Sequence, residues 1–173
     1  MDEQQMEQIL SDIKKGHQNP FSESHEYFWK KMHGLAEAKY VPAQSFFVTC
    51  LDDPRSDWRE DCLTCLGFHY QFAPDSNIIV KIRQMLLNDP DAFVRLAATS
   101  ILGIRSYPSD YSLIAAMQND IDEDVRLSAF DALLTLTGLP SIIVRQQVEH
   151  AREGKVETSL EEVERIKKEW QGN

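Results

Sequence analysis

The sequence predicts an all-α fold: a right-handed α-α superhelix, a solenoid of about three helix pairs with helical caps at both ends. Three observations predict it. A pattern of 15 residues recurs at spacings of 31 and 36. Within each copy the apolar residues fall on one helical stripe. Ahead of each copy stands another apolar-periodic segment with a proline shortly before it, where a missing N–H is tolerated.

The central copy runs from Asp89 to Gly103 and contains Val94-Arg95-Leu96. Moved forward 31 positions it overlays Asp120–Leu134. Both turn aspartates, the Val125-Arg126-Leu127 triplet, Ala129 and Leu133 then coincide. Moved back 36 positions it overlays Asp53–Gly67, sharing Asp53-Pro54, Arg59 and Leu66-Gly67. There Trp58 replaces the valine. A carboxylate ahead of a helix can accept orphan N–H groups and meets the positive end of the dipole. Pro54 and Pro90 stand where the lost donor does no harm. Val94, Ala98, Ile101 and Leu102 form one stripe, and Val125, Ala129, Ala132 and Leu133 the next. The first helix of each pair is expected at Ala43–Leu51, Asn77–Leu87 and Tyr111–Met117, after Pro42, Pro74 and Pro108.

These motifs resemble HEAT repeats, especially the short bacterial type of phycobilisome-lyase-like proteins. The resemblance spans roughly residues 41–138 and rests on Asp89/Arg95, Asp120/Arg126 and the Val-Arg-Leu triplet. The prolines lie at or before the helix starts, unlike the proline inside the first helix of many long repeats. The resemblance implies architecture more than function. It also implies that Arg59, Arg95 and Arg126 form a structural ladder to Asp53, Asp89 and Asp120. The rival reading of that row is an anion-binding strip.

The flanks read as caps, giving one domain over 1–173: N-terminal helices in 1–40, three repeats in 41–138, cap helices in 139–173. Residues 4–15 place Met6, Ile9, Leu10 and Ile13 on one face, and His17–Ser22 reads as a loop. Residues 24–39 place Phe28, Trp29, Met32, Leu35 and Ala36 together. After Gly138-Leu139-Pro140 a helix is expected over Ile142–Arg152, broken by Gly154. Thr158-Ser159-Leu160-Glu161 fits a capping box that opens a last helix.

Composition limits the chemistry. The 173 residues carry a net charge of −10, with a pI near 4.9. Such a chain is repelled by a phosphate backbone, so no nucleic acid is expected as a ligand. A basic protein surface is the better match; solubility alone is the bland explanation of the charge. No apolar run is long enough for a membrane span, and the acidic, polar Met1-Asp2-Glu3-Gln4-Gln5 is unlike a secretory signal. A cytoplasmic location is therefore expected. Three cysteines argue against a disulfide framework.

Cys62-Leu63-Thr64-Cys65 can be read as a redox or metal pair. Both cysteines, however, align with the apolar stripe positions of Ala98 and Ile101, which predicts packing. His17, His25, His33, His69 and His150 form no metal-helix pattern, and His25 and His33 are expected on the surface of one helix. No glycine-rich phosphate loop or nucleophile motif is present. The expectation is no metal, no cofactor and no enzymatic activity.

A partner would dock on the second helices, which usually line the concave face of a solenoid. Away from the core stripe, a helical wheel places Glu60 and Thr64 in the first copy, Leu96 and Ser100 in the second, and Glu123, Leu127 and Asp131 in the third. They would form a mixed acidic and apolar groove, unless Leu96 and Leu127 pack against the next repeat. The expected function is a protein-interaction module for a basic partner, in concrete form an immunity or inhibitor protein against a toxin. The alternatives are a cofactor lyase-type or chaperone HEAT-repeat protein, or an adaptor subunit of a larger complex.

Overall fold

A computed structural model describes residues 1–19 and 25–172, the side chain of His25 excepted. Those residues form ten α-helices and no strand: α1 Glu3–Gln18, α2 His25–Glu37, α3 Val41–Cys50, α4 Ser56–His69, α5 Asn77–Asn88, α6 Ala92–Arg105, α7 Tyr111–Asn119, α8 Glu123–Leu136, α9 Ser141–Arg152 and α10 Leu160–Gln171. The chain divides into two compact units, Met1–Gln71 and Phe72–Asn173.

In the first unit, α1 opens with a reciprocal cap. The Asp2 carboxylate accepts from Gln5 N at 2.8 Å, and Gln5 Oε1 accepts from Asp2 N at 3.1 Å. The helix runs on through His17, which the sequence placed in a loop. Residues 20–22 of that expected loop lie outside the described residues. Gly16 leaves room there for the Phe28 ring, because a Cβ would stand 1.9 Å from Phe28 Cζ. Pro42 sits in the first turn of α3, where its missing N–H is harmless. Helix α2 packs on α1, α3 and α4, and α3 on α4. Ile13, Met32, Leu35, Phe47, Leu63 and Leu66 are fully buried between them.

In the second unit the pairs α5–α6 and α7–α8 lie side by side. Helix α5 packs on α7 and α6 on α8, so first helices and second helices form separate layers. The predicted stripes make the core: Val94, Ala98, Ile101 and Leu102, then Val125, Ala129 and Leu133, have no exposed surface. The small residues set the spacing, since a Cβ on Gly103 would lie 3.0 Å from Ala132 Cβ. Helices α9 and α10 cover α8. Gly154, with φ of 70°, ends the α9 segment as expected. The cap of α10 falls one residue later than the sequence suggested: Ser159 Oγ accepts from Glu162 N at 3.2 Å, because the helix begins at Leu160.

Candidate functional site

The repeated turns hold the second helices in place. The leading aspartate of each turn accepts from the amide two residues on: Asp53 Oδ1 from Arg55 N at 2.9 Å, Asp89 Oδ1 from Asp91 N at 3.0 Å and Asp120 Oδ1 from Asp122 N at 2.9 Å. The second aspartate supplies the helix cap, Asp91 to Phe93 N and Asp122 to Asp124 N, each at 2.9 Å. In the first copy Arg55 occupies that place and gives no side-chain cap.

The arginine row differs from the expected ladder in its acceptor. Arg59, Arg95 and Arg126 each donate from Nη1 to the backbone carbonyl of the aspartate six residues earlier, at 2.8, 2.9 and 2.8 Å. The carboxylate that Arg95 grips belongs to the following turn: Nε and Nη2 reach Asp120 Oδ2 and Oδ1 at 2.8 and 2.9 Å. One planar guanidinium thus ties two consecutive turns with both of its edges.

In the first unit Asp53 is held differently. Its carboxylate accepts from Arg55 Nε at 2.8 Å and Nη2 at 3.0 Å, and bonds the His17 ring of α1. Burial alone would raise its pKa, but Arg55 and then His17 more than offset this and hold the carboxyl well below the usual range. Trp58 replaces the expected aliphatic residue to form an aromatic cluster. His17 lies edge-on to it with centroids 4.6 Å apart, Phe28 lies at 5.9 Å, and the Arg55 guanidinium sits 5.1 Å over its ring.

The residues that looked chemical are mostly packed. Cys62 and Cys65 are free, buried thiols, and burial pushes both well above their ordinary range. His33 is not the surface residue expected. It is half-buried between Trp29 and His69, with ring centroids at 4.5 and 5.7 Å, and its Nε2 has no hydrogen bond among the described residues. Burial, then the neighbouring His69, lowers its pKa.

Sequence reasoning missed a second buried pair. Arg83 Nε donates to Asp110 Oδ2 at 2.7 Å, Nη1 to Pro74 O at 3.0 Å and Nη2 to Ser106 Oγ at 3.1 Å. Asp110 is fully buried and caps α7 through Ser112 N and Leu113 N. The legible half of this signal is an aspartate immediately ahead of a helix start.

The predicted docking residues separate. Glu60 and Thr64 are half-exposed on α4 in the first unit, where Thr64 Oγ1 donates to Asp61 O at 2.9 Å. Leu96 is half-exposed, Ser100 and Glu123 are exposed, and Asp131 is half-exposed. Leu127 requires correction: it is 5% exposed and belongs to the core, so it offers nothing to a partner. The face turned from the α6 stripe is also partly covered, because Thr99 bonds Ser128 and Gly103 meets Ala132.

Ser100 and Asp131 do come together. They line a hollow of 240 Å³ between α6 and α8, with Gly103, Ile104, Ser128, Ala132 and Thr135. Ser128 and Thr135 were not singled out from the sequence. Thr135 lies one helical turn beyond Asp131, a spacing that puts both on one face, and donates to Asp131 Oδ1 at 3.2 Å. Asp131 and Glu123 have no ion-pair partner among the described residues. No helix among those residues is long and apolar enough to cross a membrane, and no group of three or more His, Cys, Asp or Glu is placed to hold a metal ion. No protein-family model matches the chain, and no curated protein and no solved structure matches it either.

Proposed function

We propose that this chain is a HEAT-like repeat protein that binds another protein with a basic surface, in its concrete form as an immunity or inhibitor protein against a basic toxin. The repeat reading draws support from the two-layer packing of α5–α6 on α7–α8 and from the arginine that ties one turn to the next. In this reading the pairs are units of a right-handed solenoid, and α3–α4 is a further pair of the same kind.

The observation that carries the binding reading is Asp131, a carboxylate lining a hollow and without an ion-pair partner among the described residues. A net charge of −10 adds long-range attraction for a basic partner. Affinity capture from the native cell, followed by binding of the purified partner across a salt series, tests it. The expected result is a basic partner whose association slows steeply as salt rises. An acidic partner, or binding indifferent to salt, would contradict it.

A further inference from the structure

We propose that the α6–α8 hollow is a socket for one cationic side chain, a lysine ammonium or an arginine guanidinium, and that it anchors the basic partner. The source of the cation rests on the function proposed above; the chemistry of the socket does not.

Size decides first between a metabolite and a side chain. Small-molecule pockets run from about 300 to 1,000 Å³. At 240 Å³ the hollow falls below that range. Its floor is Gly103 against Ala132, and Ile104, 52% exposed, supplies an apolar wall. A long aliphatic stem can lie along such a wall while its charged head reaches further.

Hydrogen-bond accounting then fixes the head group. Each rim hydroxyl has one proton to give. Ser100 Oγ gives its proton to Leu96 O at 3.2 Å. Thr99 Oγ1 gives its own to the same carbonyl at 2.7 Å, so in the Thr99–Ser128 contact Ser128 is the donor. Thr135 Oγ1 gives its proton to Asp131 Oδ1 at 3.2 Å. Each rim hydroxyl thus has an acceptor inside the protein for its proton, which leaves its lone pairs to the hollow. Asp131 adds a negative charge, and its Oδ2 has no hydrogen bond among the described residues. Such a rim offers acceptors alone. Lysine and arginine heads are donors without acceptors, whereas a hydroxyl, amide or carboxylate would leave lone pairs opposed.

The experiment is an NMR titration of the full chain with n-butylammonium chloride, tetramethylammonium chloride and 1-butanol. The expected result is saturable shifts at Ser100, Gly103, Asp131 and Thr135 with n-butylammonium. Tetramethylammonium has the charge but no N–H, and butanol has the stem but no charge. Both should bind at least about tenfold more weakly. Asp131→Asn should weaken n-butylammonium by about tenfold. Ile104→Lys, at an exposed position, should abolish binding by placing an ammonium of its own in the hollow. Equal responses to n-butylammonium and tetramethylammonium, no saturable shift, or indifference to both substitutions would overturn the socket. A captured partner that binds wild type and Asp131→Asn equally would leave the binding function standing and remove the socket. Saturable amine binding without any basic partner would do the reverse.

Discussion

Asp53 in the first unit and Asp120 in the second occupy the same place in the repeat, yet they are satisfied in opposite ways. Asp120 is gripped by Arg95, which reaches it from the preceding repeat. Asp53 is closed off locally by Arg55, two residues away, and by His17 from α1. The carboxylate needs a donor fork in either setting, since an uncompensated buried charge is costly. Where a preceding repeat supplies the arginine, the sequence stays regular. In the first unit, a histidine, an arginine at the cap position and an aromatic cluster around Trp58 do the same work.

The largest effect should come from charging matched core positions. Ala98→Asp and Cys62→Asp put an unpaired carboxylate where the native residue has no exposed surface. Each should abolish cooperative thermal unfolding in circular dichroism. If Ala98→Asp melts like wild type, the repeat register is wrong. Next, Asp110→Ala strands Arg83, which is 5% exposed, and should cost about 3–5 kcal/mol in urea denaturation. A loss within the range of a surface change would show that this pair is solvated.

A smaller effect tests the irregular unit. Gly16→Ala drives a methyl into the Phe28 ring and should cost about 1–3 kcal/mol. The pH dependence probes the same unit. His33 has a lowered pKa in the fold, so the unfolded chain binds more protons below its ordinary value of 6.5. Its contribution is complete at neutral pH and declines as pH falls through that value. The Tm of wild type should fall between pH 7 and 5, and His33→Gln should flatten the slope. Asp53, with its depressed carboxyl, adds a second loss only below the ordinary carboxylate range. The smallest stability effect belongs to Glu60→Lys with Asp131→Lys. Both sites are half-exposed, and the change should stay within about 0.5 kcal/mol while weakening capture of a basic partner.

Legibility follows recurrence along the chain rather than the two units. The stripes from Val94 and Val125, the turn aspartates and the thiols as packing residues could be read because each recurs at a fixed shift. The carboxylate partner of Arg95 could not, because sequence spacing pointed to the preceding turn while the guanidinium spans to the next one. The hollow was half legible. Ser100 and Asp131 were on the correct face, but Leu127 was misplaced into the groove. Helical spacing orients a side chain about its own axis and cannot say that α8 turns that residue into the core. His33 was missed for the same reason, as its burial depends on His69 of α4.

A double-mutant cycle at Arg95 and Asp120, with Arg95→Met, Asp120→Asn and the pair, tests most directly whether consecutive turns are bolted together. The account predicts a coupling of about 2–3 kcal/mol in chemical denaturation, each single change costing nearly as much as both. Additive losses within about 0.5 kcal/mol would contradict it, because the two turns would then be held by helix packing alone.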